Sequence, residues 1–565
     1  MGLVSGSLLS LVNGVSLQPP WMRLPSQGTA QENAMSSLIE GVWRRPPTEH
    51  IARISATSLG AAHIHSINRD SDQRYQVIVT DGDLRVFDLE GNEKTVAFPS
   101  GKAYLAALAP KTAFSCTTLA DYTFVTNREK TVDEENAGNA VTNEAYFYVK
   151  QAFYNCSYGA YINGALIAAV TTAATGNQPQ TDAIAGSLSS SLASALGGTW
   201  TVTASGSVIR VKKNDNTTFT VSSYDSQGGV ALIAFGRSIQ NFVDLPPVMP
   251  FDGTIEVTGS STNGFDSYWV TFDGTKQSWV EVVKPEDEAR PDPETMPWKL
   301  VEEIDGTFTF DKNDWGWRAC GDANSAPTPS LVGRQVNDVL VHRNRLFFLA
   351  DQNILSSRPG GPQFFELFPA TVTTALNSDP IDVGLSNNNN TVPIARFALA
   401  FDQDLLIFTD PAQFRLNASD QVMTSATVKA TQAAGYDSDL LAKPVSNGKL
   451  VHFAIRKGSD SGVREGFIDS QALVFDASDI TIHVPNYIEG RITKFVSATN
   501  LDTLFVLATG APNKVWVYKW FIENNEKMQS SWSQWVFPEG DTILSISFMD
   551  SDLYMLVERS TGVYL

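Results

Sequence analysis

Cysteine is nearly missing from this sequence. Its 565 residues contain three, Cys116, Cys156 and Cys320. An odd, scattered set without a Cys-x-x-Cys pair excludes a disulfide scaffold and a zinc site of that kind, and fits folding in a reducing cytosol. No run of about 18 apolar residues occurs, so no membrane-spanning segment is expected. Positive charge is in deficit: 41 Lys and Arg face 61 Asp and Glu, a formal charge of −20. Such a surface repels phosphate and excludes tight nucleic-acid binding by the molecule as a whole. No basic residue precedes Arg23, so the mildly apolar Met1–Leu17 lacks the positive start of a secretory signal. Gly6 stands where a myristoylation motif requires Ser or Thr. Also missing are a Gly-x-Ser-x-Gly elbow, a phosphate-binding P-loop, His-Glu-x-x-His and a dinucleotide fingerprint. Asn-x-Ser/Thr triplets such as Asn216-Thr-Thr and Asn417-Ala-Ser carry no weight without a signal peptide.

What is present is apolar and strand-like. Hydrophobic residues make up 42% of the chain and aromatics 10%, enough for a large core and more than one domain. Short runs of Val, Ile, Phe and Tyr alternate with tight polar turns. Tyr75-Gln-Val-Ile-Val-Thr, then Asp81-Gly82-Asp83, then Leu84-Arg-Val-Phe-Asp reads as a hairpin, with Asp-Gly supplying the positive φ that the turn requires. Glu90-Gly91-Asn92-Glu93 makes the next turn.

A looser unit then recurs: a strand, a polar turn holding Asp or Asn, and a second strand of bulky apolar residues. It starts at Cys116, Asp338, Ala398, Val445, Val496 and Ile546. After residue 338 the copies are spaced by roughly 45 to 60 residues, the length of a propeller blade. A unit apolar on both faces must stack on neighbours. These features predict a mainly β chain, a β-propeller built from both ends of the sequence, with a β-sandwich or plain meander as the alternative. The last unit stops at Leu565 without outer strands. Either an N-terminal strand completes it or the chain is a piece of something longer.

Two segments interrupt the pattern. The expected division is 1–142, an N-terminal segment with the first blades; 143–238, an inserted α+β domain; 239–320, an inserted β-rich domain with an acidic loop; and 321–565, the remaining blades. In the first insert, Thr181 is the expected N-cap, and Ile184, Leu188, Leu192 and Leu196 form one helical stripe that Gly197-Gly198 ends. In the second, the Pro-interrupted acidic run from Pro285 to Pro297 reads as a solvated loop.

Candidate chemistry is thin. His63-Ile-His65 puts two imidazoles on one face of a strand, half of a metal site with no partner nearby in sequence. A glycosidase needs two carboxylates at a set separation, and no isolated pair stands out. Accordingly no catalytic, cofactor-binding or metal residue is assigned.

The N-terminus reads Asn13-Gly-Val-Ser-Leu-Gln-Pro-Pro-Trp-Met-Arg-Leu-Pro-Ser-Gln-Gly28, then Gln31-Glu-Asn33 and Glu40-Gly-Val-Trp-Arg-Arg-Pro-Pro47. This resembles the opening of tail tubular protein B, the nozzle family of short-tailed bacteriophages (podoviruses). Asn68-Arg-Asp70, Arg85 to Lys94, Ala120 to Phe124, Glu294-Thr-Met-Pro297, Cys320-Gly-Asp322, Arg343 to Leu346, Asp379 to Asp382, His483 to Tyr487 and Ser531 to Trp535 follow in the family's order.

The resemblance implies a structural virion protein of the distal tail, made in the host cytoplasm, and not an enzyme. It implies a homo-oligomer, a hexameric ring below an adaptor ring of the tail tubular protein A type. That ring would help anchor tail fibres and conduct and gate double-stranded DNA without binding it specifically. It also implies that members run longer than this chain, with a C-terminal part beyond position 565. Acidic loops lining the tube, partly from the second insert, are expected to form constrictions, and Trp269, Trp279 and Trp298 are expected in or near subunit contacts, with core packing the commoner fate of any single Trp. The competing readings are a tail-associated polysaccharide depolymerase and a receptor-binding propeller.

Overall fold

The computed structural model describes residues 10–138, 141–259, 267–386, 391–401, 403–418, 422–468, 475–524 and 526–565. Residues 1–9, including the Gly6 position, and Asp402 in one recurring unit lie outside the described residues.

The chain is mainly β, as its period-two pattern predicts. Among the described residues outside the two inserts, seven sheets of four or five strands follow one another, each beginning with one strand from which the others step outward. The beginning strands are β1 (His63–Asn68), β2 (Phe114–Leu119), β3 (Val336–His342), β4 (Ala395–Phe401), β5 (Val445–Asn447), β6 (Ile492–Ala498) and β7 (Thr542–Met549). Each touches the next in the series, and β7 touches β1, so the seven close a cycle. The recurring sequence unit is the first hairpin of a sheet: β3 pairs with Arg345–Ala350, β4 with Asp404–Thr409 and β7 with Asp552–Arg559. Arg343 and Asn344, at φ 48° and 60°, form the two-residue turn after β3, a geometry that suits the twist of paired strands.

Alternation explains why the sheets stack. Leu346 and Phe348 pack toward the sheet of β2, while Phe347 and Leu349 pack toward the sheet of β4. In the next sheet Leu405 and Ile407 face back, and Leu406 and Phe408 face Phe453 and Phe475 ahead. Leu504 and Val506 join one cluster with Val463, and Phe505 and Leu507 join another with Ile543 and Ile546. Successive residues of a strand point to opposite faces, so a strand apolar at every position requires an apolar neighbour on both sides.

The last sheet takes its fourth strand from far away. Arg53–Ser55 pairs with Gly562–Tyr564, and Ile54 and Val563 share a cluster with Ile78 and Phe87 of the first sheet. An N-terminal strand thus completes the unit that starts at Ile546. The preceding segment lies along the outer strand Glu526–Val536 of the sixth sheet. Val15 N–H donates to the Trp532 carbonyl (2.9 Å), and Gln529 Nε2 donates to the Val12 and Ser36 carbonyls (2.9 and 3.0 Å). Gly14 sits at φ +64°, and a Cβ there would collide with the Trp532 carbonyl.

The strands Trp298–Glu302 and Phe308–Asp311 hydrogen-bond into the sheet of β2, next to Tyr122–Asn127. Between residues 143 and 238, two sheets enclose the helix Thr181–Leu196, whose Ile184, Leu188 and Leu192 are buried. Thr181 is the first helical residue rather than the N-cap, a position held by Gln180 without a side-chain bond. Asp182 instead accepts from the Ala183 N–H (2.8 Å) near the positive helix end.

The acidic run also departs from expectation. Ala289–Pro291 is a strand paired with Glu134–Asn136, and Met296 is fully buried. Arg290 holds it down through Glu135 (2.7 Å) and Asp314 (2.8 Å). Its carboxylates read as a solvated loop, but the interspersed Ala, Pro and Met supply the buried face.

Ile54→Asp should cost more than about 3 kcal/mol, because an unpaired carboxylate would sit between the first and last sheets. Gly14→Ala should cost about 1–3 kcal/mol through backbone strain and displacement of the N-terminal segment. Thermal melting of the purified variants against the parent checks both.

Candidate functional site

The first strands surround an open cavity of about 860 Å3. All of β1 to β7 except β3 contribute to its wall. The lining is basic in an acidic chain: Lys111, Arg128, Arg396, Lys443 and Lys494 against one lining carboxylate, Glu129. Asp338 stands behind the wall, donated to by Ser115 Oγ (2.7 Å) and paired with Lys443 (2.7 Å). Glu129 is occupied by the backbone N–H groups of Leu108 and Ala109 (2.8 and 3.2 Å).

Fold position explains the clustering. Lys111 precedes β2, Arg396 and Lys494 lie in the opening residues of β4 and β6, and Lys443 precedes β5. Arg128 follows the antiparallel strand Tyr122–Asn127, which returns to the end where β2 begins. All five cations therefore sit where the first strands start. Sequence patterning could not find this set, since the five are scattered over nearly 400 positions and only the cycle assembles them.

Burial lowers the pKa of Lys494 to about 8. It also lowers that of Arg128, with Asp338 working the other way. His63 and His65 face the same cavity. Burial first, then nearby positive charge, pushes both down to about 3, so both are neutral near pH 7. For His63 the charges are chiefly Lys494 and Arg128, and for His65 they are His63 and Lys494. His65 Nε2 is 2.8 Å from Thr118 Oγ1. The half metal site read from His63 and His65 gains no third ligand: among the described residues no group of three His, Cys, Asp or Glu is arranged to hold a metal.

Of the tryptophans expected near subunit contacts, Trp298 and Trp269 are buried within the chain and Trp279 is half-buried. Trp298 is fully buried and stacks on Tyr104 at 5.2 Å, its Nε1 donating to the Pro293 carbonyl (3.1 Å). Trp269 is buried, with Arg237 5.6 Å from its ring centre. Trp279 Nε1 donates to the Pro246 carbonyl (2.8 Å). A large ring that completes one cluster gains more from burial in its own fold than from waiting for a partner.

The exposed apolar surface lies elsewhere. Trp21 is 83% and Ile39 95% exposed, with Met22 and Leu24 also open. They belong to the segment that Gly14, Val15 and Asn33 pin to the sixth sheet. Asn33 Oδ1 accepts from Val536 N–H (3.0 Å) and Arg45 Nε (2.9 Å). The motif-bearing N-terminus thus has a buried edge fixed to the sheet and an open apolar edge.

Residues 1–565 match the family model of the bacteriophage nozzle protein. Tail tubular protein gp12 of Escherichia phage T7 is 33% identical over 582 residues, an overlap covering 100% of this chain and 72% of that protein. The chain belongs to the bacteriophage nozzle protein family. Among solved structures, Hsv2 of Kluyveromyces lactis is 12% identical with a TM-score of 0.28, over 55% of this chain and 78% of that one. PorZ of Porphyromonas gingivalis is 11% identical with a TM-score of 0.28, over 95% and 71%. Likenesses this faint carry no argument.

The histidine pair sets an acid limit. A histidine whose native pKa lies below its unfolded value binds its proton more weakly when folded, so it favours unfolding as the pH falls from about 6.5 toward 3. Thermal melting across this range should show a His63→Asn, His65→Asn double variant losing fewer degrees between pH 7 and pH 4.5 than the parent.

Proposed function

We propose that copies of this chain sit side by side as a closed ring forming the distal tube of a short-tailed phage's tail, a structural role with no catalytic step. The match of residues 1–565 to the nozzle family carries this reading. The relative named a tail tubular protein supports it.

Each subunit is a seven-bladed β-propeller whose ring is sealed by Arg53–Ser55 on Gly562–Tyr564. The closed cycle of first strands and the clusters between successive sheets support this. The insert 143–238 is a separate α+β unit. The second insert begins at 239 and ends before Trp298, because the strands from there complete the second blade. Six copies form the ring, which docks on an adaptor ring of the tail tubular protein A type and helps to anchor tail fibres.

Double-stranded DNA passes through the ring without specific binding. A basic wall would release counterions at each phosphate contact and hold the polymer, whereas an acidic or neutral wall leaves it free to slide. The formal charge of −20 per copy favours the second case. The exposed apolar edge at Trp21, Met22, Leu24 and Ile39 supplies a subunit or adaptor contact, since patches of this kind mark interaction sites.

Electron microscopy of the purified protein with its adaptor should show annular particles with a through-channel. A Trp21→Ser, Ile39→Ser double variant should melt within about 1 °C of the parent, since exposed positions contribute little to stability. The same variant should form few annular particles. Assembly equal to the parent's would remove this edge from the contact, and a parent monomeric at every concentration, with or without adaptor, would overturn the ring.

A further inference from the structure

The cavity inside the cycle of first strands is lined by more cations than carboxylates, and the fold neutralises that charge only in part. Among the described residues Lys443 pairs with Asp338 (2.7 Å), whereas no salt bridge is made by Arg128, Arg396 or Lys494. Two of these cations are held side by side on one residue. Arg128 Nε donates to the Asn337 carbonyl (2.6 Å), and Arg396 Nη1 donates to Asn337 Oδ1 (2.9 Å). Phe397 braces the group, its ring centre 5.0 Å from the Arg128 guanidinium carbon and 5.9 Å from Lys443 Nζ. Lys494 Nζ donates to Ser545 Oγ (2.6 Å), which fixes its ammonium within the same enclosure.

Removing a charge from water is costly unless another charge or a set of hydrogen bonds replaces that water. Here an acidic chain, rich in carboxylates that would serve as partners, gathers cations at one end of one cavity. The guanidiniums and Lys494 are oriented by neutral groups, a carbonyl, an amide and a hydroxyl, which direct them without cancelling their charge. Such an arrangement is preorganised for an anion, because the ordering entropy of the side chains is spent before the ligand arrives. The volume lies in the range of small-molecule sites and far below what a nucleic-acid duplex requires.

We propose that this cavity binds a small phosphate-class oxyanion between Arg128, Arg396, Lys443 and Lys494. The two guanidiniums grip its oxygens with charge-assisted hydrogen bonds, the lysines neutralise the remaining charge, and the neutral histidines of β1 offer a polar wall. The bound anion links β1, β4, β5 and β6 across the centre of the cycle, stiffening the subunit from inside.

Calorimetric titration of the purified chain with pyrophosphate, and separately with inorganic phosphate, tests this at constant ionic strength. Saturable one-to-one binding of either anion, together with a rise in melting temperature that chloride does not reproduce, is the expected result. Arg396→Gln and Lys494→Met should each weaken the affinity by about ten-fold or more, the value of one charge-assisted contact. Neither should lower the melting temperature of the unliganded protein, since each removes an unpaired charge. Absence of saturable binding by the parent for both anions would overturn the proposal. So would unchanged affinity in both variants, provided they melt like the parent. The titration uses unassembled protein, so it stands or falls apart from ring formation.

Discussion

The constraint on which the rest of this structure depends is that the inner strands of the seven successive sheets have no polar face. Strand after strand carries large apolar side chains on both sides, as in Leu346-Phe347-Phe348-Leu349 and Leu504-Phe505-Val506-Leu507, and all of them are buried. Burying such a side chain contributes on the order of 1.5–3 kcal/mol, so a sheet with one bare face would forfeit several such terms. A linear stack leaves two bare faces, at its first and last members. Closing the series removes both. Ile54, Ile78 and Val563 occupy the seam where that closure is made.

Much of this was legible in the residues, and what was not has identifiable causes. The first hairpin of each later sheet stood out because its strands are apolar and its turn carries Asp or Asn. Outer strands such as Lys429–Ala434 did not, being short of bulky residues. Trp298 and Phe308 were assigned to the second insert because they follow it in sequence; only pairing with Tyr122–Asn127 joins them to the second sheet. In the acidic run the charges suggest a solvated loop, but the buried Ala289, Pro291 and Met296 between them decide the structure. Trp298 and Trp269 lie in the core and Trp279 is half-buried, since exposure is a property of three-dimensional neighbours. The cationic cavity had no local signature at all.

Family membership and physical reading meet at the N-terminus. The stretch carrying the clearest family likeness is a strap along the sixth sheet, held through backbone bonds that require Gly14 and through Asn33, which serves two donors at once. Its apolar side chains split into two sets. Val15 is buried against Trp532, and Trp21 and Ile39 are left in solvent. One short segment therefore packs into its own sheet along one edge and leaves apolar side chains in solvent along the other. In the assembly proposed above, the two edges are coupled, because a strap that has not seated would present no ordered contact.

The seam joining Arg53–Ser55 to Gly562–Tyr564 bears on how the protein is made. The earlier strand leaves the ribosome long before its partner, so the interlock cannot form until all six intervening sheets have been synthesised. Loop closure over such a sequence separation is slow, and the unclosed intermediate exposes two greasy sheet faces. A nascent or prematurely terminated product is thus left as an open arc, sticky at both ends and unable to present a finished surface to its neighbours. The same stitch that stabilises the finished subunit leaves apolar faces open on an unfinished one.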